Sequence, residues 1–350
     1  MYTYKWEPMP MIQHYDGTKI LSMRDLDNNK PEIYIITSNR TDGKTTYMAR
    51  WLIKRFKAYK EQFIFVVRFK DQLHNISNTF FHGVQDLFFQ DDVMKHKVKD
   101  NGIYAEMYLN DELCGYAVAL NTQSKLKTNS SLFNDVQRIW MDEYQTLDKY
   151  CTDEIRKIID LHYTVARGHG QAYRYVPIFL TGNHLDFFNP YYVELGIISR
   201  LKADTHFLKG HGWILEQNIN QSVLEARTLS GLTKAFKSNA HIARDAYLYD
   251  ELTVMEKPAG MSRYLMTIRY KGKEYGLYDY GYCAYFTTSS DESFKTRAAI
   301  LPDDIDDNTP HINIYPFYAK YITQMLKAGL FRFKTAECKK ICMDIFLKMR

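Results

Sequence analysis

The segment SNRTDGKTT brings together the residue types that hold a nucleoside triphosphate. Ser38 to Thr45 fits G-x-x-x-x-G-K-[ST] at every defined position except the first, where Ser38 replaces the usual Gly. Such a loop binds phosphate because successive backbone N–H groups and the start of a helix form a cradle for its oxygens. Ser38, Asn39, Arg40, Thr41, Asp42, Gly43, Lys44, Thr45 and Thr46 would line that cradle. Gly43 lets the backbone approach the phosphates, Lys44 reaches the β- and γ-phosphates, and Thr45 offers its hydroxyl to Mg²⁺. A Gly-Lys-Thr triplet also arises by chance in polar turns. Here an apolar strand pattern from Ile33 to Thr37 precedes it and a helical pattern from Lys44 to Tyr59 follows. ATP and Mg²⁺ are the ligands these residues imply.

A phosphate loop needs a metal-holding acid and a group that orients the attacking water. In RIWMDEY, Asp142 and Glu143 follow apolar residues at a strand's C-terminal end, where parallel sheets place their ligands. Asp142 would hold Mg²⁺ through water, and Glu143 would polarise the water that attacks the γ-phosphate. Their separation from Lys44 leaves room for the strand, hairpin insert and helix of an additional-strand (ASCE) P-loop NTPase. Against this stand the commonness of exposed acidic turns and the hydrophilic Gln137-Arg138, which interrupts the apolar run. YVPIFLTGN ends in Thr181, Gly182 and Asn183, and Asn183 is a candidate γ-phosphate sensor, although such a turn is also ordinary loop chemistry.

Basic residues cluster in the helix (Arg50, Lys54, Arg55, Lys57, Lys60), in VRFK (Arg68, Lys70) and in SKLKTNSS (Lys125, Lys127). Helical charges of this kind are usually a solvated face. A lysine-bearing loop at Lys125 and Lys127 suits transient contacts with nucleic-acid phosphates, largely independent of sequence. Arg167, in TVARGHGQ, reads from sequence alone as a surface arginine.

These residues need a scaffold, and 350 residues with 45% hydrophobic and 15% aromatic content can build one or two real cores. The net charge of +5 permits a polyanionic partner without requiring one. The five cysteines form no C-x-x-C pair, which suits a reducing compartment and argues against zinc. Cys338 and Cys342 would share one face of the last helix, as packing residues. No apolar run approaches about eighteen residues and the start lacks a signal-peptide pattern, so a soluble, intracellular protein without membrane contact is expected.

The first two hundred residues alternate strand and helix patterns, implying a mainly parallel α/β sheet. QFIFVV reads as a strand and IYAEMYLNDELCGYAVAL as an inserted hairpin turning at Asn110-Asp111. VQRIWMDEY and YVPIFLTGN are strands flanking the helix TDEIRKIIDLHYTVA, and HFLKGHGWILEQ is an edge strand. Residues 1–216 form the P-loop domain, and 217–257 a small helical linker. Residues 258–350 form an α+β domain with a Tyr-rich meander and two closing helices, about Tyr315 to Ala328 and Ala336 to Met349.

Taken together, SNRTDGKTT, EQFIFVVRFK, IWMDEYQ, TVAR, FLTGNHLDFFNPYY and AGLFRFKTAECKKICMDIFLKMR resemble the DNA-packaging (encapsidation) ATPases of small, short-tailed, protein-primed phages. The resemblance runs from about Tyr34 to Arg350. It implies a homo-oligomeric ring motor, usually pentameric, at the portal vertex of an empty procapsid in the host cytoplasm, driving double-stranded DNA inward. The portal is its docking partner, joined in some relatives by a structural RNA. The C-terminal domain would resemble an RNase H-type nuclease that has lost its catalytic carboxylates. By the same resemblance Lys44 and Thr45 fall on the phosphate-loop positions, and Asp142 and Glu143 on the Mg²⁺ and catalytic acids. Arg167 falls on a trans-acting arginine, Lys70 on a DNA-gripping position, and Arg40 on a further basic position in the loop. Two other readings stay open: a helicase or a terminase with residual nuclease activity, and a non-enzymatic capsid or DNA-binding scaffold with a degenerate phosphate loop.

Overall fold

The computed structural model describes residues 14–39, 42–146, 150–167, 173–185, 189–197, 200–201, 205–218, 254–327 and 330–349. The chain divides into two compact units, Met1–Leu185 with Asp204–Ala246, and Asp186–Ala203 with Tyr247–Arg350. Most of the expected linker, 219–253, lies outside the described residues.

The first unit contains α1 (Thr18–Ser22), β1 (Ile33–Ser38), α2 (Lys44–Tyr59), β2 (Gln62–Val67), α3 (Gly83–Phe88), β3 (Met94–Lys99), β4 (Tyr104–Leu109) and β5 (Glu112–Ala119). It continues with β6 (Val136–Met141), α4 (Glu154–Val165), β7 (Ile178–Asn183), β8 (Phe207–Lys209) and β9 (Trp213–Asn218). One sheet runs in the order β3-β4-β5-β2-β6-β7-β1-β9-β8. Its central strands, β5 to β9 in that order, are all mutually parallel. They read as near-continuous apolar runs because both faces of such a sheet are covered. On one face, α2 buries Met48, Leu52, Ile53 and Phe56 in a core shared with Phe63, Phe65, Phe80 and Trp140. Strand β7 lies between β1 and β6, so an additional strand separates the phosphate-loop strand from the acid strand.

Several elements depart from the sequence reading. The hairpin turning at Asn110-Asp111 is no insert: β5 joins the sheet parallel to β2, and β4 and β3 extend its edge antiparallel. Strand β3, MKHKVK, is too lysine-rich to read as a strand. It is tolerated at an edge because Lys95 pairs with Asp111, Lys99 pairs with Glu106, and Lys97 lies over the Tyr108 ring. HFLKGHGWILEQ makes two strands, with β9 beside β1 and β8 folded back as the edge. The lysine-bearing segment expected as a loop is a 3-10 helix, Leu120–Phe133. Arg138 interrupts the apolar run of β6, and the desolvation of its guanidinium is offset by binding to Glu61 and by stacking 4.9 Å over the Trp51 ring.

In the second unit, β10 (Arg263–Tyr270), β11 (Lys273–Asp279) and β12 (Ala284–Thr287) form the Tyr-rich antiparallel meander. Parallel strands β13 (Arg297–Ala299) and β14 (Phe331–Phe333) add to its two edges. This unit also holds α5 (Pro190–Glu194), α6 (Pro316–Lys327) and α7 (Ala336–Lys348). Cys338 and Cys342 are buried on α7, as packing residues would be.

Candidate nucleotide site

The loop between β1 and α2 lies at the C-terminal edge of the sheet. Gly43 caps α2 at φ 95°, in the left-handed region that favours glycine. Lys44 begins the helix and folds back under the loop, buried to 5% exposure. Its Nζ donates to Ser38 O at 3.2 Å, Ser38 Oγ at 2.9 Å, Asn39 O at 2.9 Å and Asn183 Oδ1 at 3.1 Å. The Ser38 hydroxyl is thus one of the groups that hold the lysine. Asn183 reaches the lysine because it pairs in register with Ser38 across β1 and β7. Asp42 is buried, Thr46 half-buried and Thr45 exposed, while Arg40 and Thr41 lie outside the described residues.

The acids stand opposite this loop. Met141 pairs with Leu180, which brings the next residue of each strand, Asp142 and Thr181, together. Asp142 Oδ1 accepts from Thr181 Oγ1 at 2.6 Å and from Glu143 N at 3.0 Å. The buried Trp140 indole donates to the same Thr181 oxygen at 2.8 Å. Asp142 Oδ2 accepts from Thr45 Oγ1 at 2.7 Å, across 97 positions of sequence. A hydroxyl and a carboxylate in contact beside a lysine-held loop suit Mg²⁺, which takes oxygen ligands and keeps its water and phosphate partners.

Glu143 is exposed, with φ 53°, a conformation that non-glycine residues adopt rarely. The surroundings fix it. Arg68 Nη1 donates to Glu143 O at 2.6 Å, and Arg68 Nη2 to Tyr144 O at 2.5 Å. The same guanidinium holds the Glu154 carboxylate through two 3.0 Å hydrogen bonds. Arg68 is thus no part of a solvated basic face: it is buried behind the acids, and Glu154 is its counter-charge. Tyr144 N donates to Thr181 O at 3.1 Å, and its hydroxyl sits 2.6 Å from Thr37 Oγ1. The Tyr144 ring fits because residue 182 is glycine; a Cβ there would lie 2.9 Å from the ring.

His184 follows Asn183 and is buried, its Nε2 3.3 Å from Asn218 O. Burial, with the Lys44 charge nearby, pulls its pKa down to about 3. Sequence reasoning missed Arg68, Glu154 and His184 as supports of the site. For Arg68 the one available signal was its place directly after the buried run of β2.

The remaining candidates are not gathered at the loop. Lys70 is exposed just beyond β2, its stem packed against Gly102 of the β3–β4 turn. Lys125 is exposed on the 3-10 helix, and Lys127 lies on the same helix. Arg167 is exposed just past α4, near the N-terminal edge of the sheet.

The family model described as Podovirus DNA encapsidation protein (Gp16) matches residues 12–350. The DNA packaging protein of Bacillus phage phi29 is 23% identical over 345 residues, covering 96% of this chain and 98% of that protein. That of Bacillus phage B103 is 25% identical over 322 residues, covering 88% and 94%. A chain of the bacteriophage Phi-29 viral genome packaging motor assembly superposes with TM-score 0.55 at 22% identity, covering 96% of this chain and 99% of that one.

Proposed function

We propose that this chain, which belongs to the podovirus DNA encapsidation protein (Gp16) family, is the ATP-hydrolysing subunit of a viral DNA-packaging motor. The motor acts as a homo-oligomeric ring, a pentamer by family resemblance, on double-stranded DNA at the portal vertex of a procapsid in the host cytoplasm. The relatives' names, DNA packaging protein and viral genome packaging motor assembly, support this reading. Among the described residues, no helix is long and apolar enough to cross a membrane.

The observation that carries the chemistry is the 2.7 Å hydrogen bond between Thr45 and Asp142, beside a lysine already folded into the phosphate loop. Lys44 would reach the β- and γ-phosphates, and Thr45 and Asp142 are the residues that would hold Mg²⁺, which would supply positive charge at the phosphate oxygens. Glu143 orients the attacking water and accepts its proton. Asn183, bonded to Lys44, senses whether the γ-phosphate is present.

Arg167 serves the neighbouring subunit. Arg174, which holds its stem, binds Val136 O at the start of β6, whereas the acids follow the end of that strand. Six strand residues span roughly 17–20 Å, beyond the reach of one arginine side chain. Lys70, Lys125 and Lys127 grip DNA phosphates, so translocation is independent of sequence. In the second unit, a meander flanked by parallel strands and followed by helices supports descent from an RNase H-type nuclease. Asp279 there accepts from Tyr321 OH at 3.0 Å, Arg263 at 3.2 Å and Gly281 N at 2.8 Å, partners that make it a structural acid.

Mixed rings test the proposal. Adding Arg167→Ala subunits to unmodified ones should lower DNA-stimulated ATP hydrolysis faster than their fraction rises. Activity strictly proportional to the unmodified fraction would contradict an arginine shared across subunits.

A further inference from the structure

The stem that carries Arg167 is fastened by one side chain outside the nucleotide site. Helix α4 ends at Val165, and Arg167 follows two residues later. The chain returns through Arg174 towards β7, and Arg174 N donates to Ala166 O at 2.9 Å. Its guanidinium then makes three further bonds to carbonyls. Nη2 donates to Val165 O at 2.8 Å and to Phe133 O at 3.4 Å, and Nη1 to Val136 O at 3.2 Å. One planar group therefore joins the end of α4, the start of the acid strand, and the end of the 3-10 helix bearing Lys125 and Lys127. A cation suits the carbonyl end of a helix, and arginine's planar fork reaches carbonyls on three separate segments in one fixed geometry, which the donors of an ammonium, all on one atom, cannot span.

This arrangement matters because Arg167 is exposed, and a long side chain delivers its charge only as accurately as its backbone is held. A misplacement of about 1 Å in a catalytic group costs roughly 10²-fold in rate. We infer that Arg174 is the positioning residue for Arg167, holding the end of α4 to the returning chain so that the Arg167 guanidinium meets the neighbouring subunit's nucleotide. The inference rests on the reading of Arg167 as an arginine shared between subunits.

The test is a double-mutant cycle on DNA-stimulated ATPase of the full-length ring, with Arg174→Gln, Arg167→Ala and the double variant. Arg174→Gln should lower kcat about tenfold or more, leave ATP binding within about twofold, and cost nothing further in the Arg167→Ala background. Arg174→Lys, which keeps the charge and one carbonyl bond, should fall between, and it carries the cycle if the Gln variant does not fold. If the losses from the two sites multiply, or ATP binding collapses with kcat, Arg174 is merely structural and the inference fails. A normal rate in Arg174→Gln beside an inactive Arg167→Ala overturns this inference alone. A normal rate in Arg167→Ala overturns the reading of Arg167 and this inference with it.

Discussion

Arg68 stands directly behind Glu143, donating to its backbone carbonyl at 2.6 Å while gripping buried Glu154 through two further bonds. Removing the guanidinium would release the left-handed turn at Glu143 and strand the Glu154 carboxylate in a buried position. Arg68→Ala should therefore lose about 3–5 kcal/mol of unfolding free energy, read by denaturant titration. Arg68→Lys, keeping charge without the fork, should lose turnover while still binding ATP. A stability within about 0.5 kcal/mol of the unmodified protein in Arg68→Ala would show that this pair does not support the site.

Gly182 sets how closely the acid turn can approach the neighbouring strand. Its Cβ would lie 2.9 Å from the Tyr144 ring, which is itself pinned by Thr37. Gly182→Ala should cost about 1–3 kcal/mol through overpacking, and turnover should drop because the turn that carries Glu143 shifts. Calorimetry and steady-state kinetics on the same preparation would check both. Unchanged values would mean that the ring moves aside freely.

Stability should also depend on His184. An unfolded histidine takes a proton below about 6.5, whereas the buried ring resists protonation until about 3. Between those values the unfolded state binds more protons, so stability falls as pH falls. From pH 6.5 to 5 the loss amounts to about 1.6 kcal/mol from this group. Thermal melts at both pH values should show a shallower decline for His184→Gln than for the unmodified chain. Parallel declines would remove His184 from the account.

DNA contact through phosphates predicts a salt signature. Lys70 is exposed, and its side chain lies along Gly102 rather than in the core. Lys70→Ala should weaken DNA binding uniformly across sequences and reduce the slope of log affinity against log salt by about 1. An unchanged slope would place the grip elsewhere.

The path from β1 through the loop to α2 was legible because local rules agree there: a β-branched run, a glycine needed at positive φ, then helix formers. The acid pair was legible for the same reason, since Asp142 and Glu143 end an apolar strand. The supports were not. Arg68 and Lys70 look alike in VRFK, yet one is buried against Glu154 and the other exposed, a distinction made by partners 75 to 86 positions downstream. Strand β3 was hidden by lysines whose partners, Asp111 and Glu106, sit on β4 and its turn. The hairpin β8–β9 was read as one strand because the Gly210 to Gly212 turn is short and its flanks equally apolar. Ser38 is the one departure from the loop pattern, and the sequence gives no sign that its hydroxyl accepts from Lys44.

The most direct measurement is DNA-stimulated ATP hydrolysis by Glu143→Gln, with ATP affinity determined on the same protein. The substitution keeps the size of the side chain and removes the base, so turnover should fall about 10²-fold or more while affinity stays within about threefold. Turnover at the unmodified rate would contradict the assignment of Glu143 and, with it, the reading of the paired acids as the hydrolytic centre.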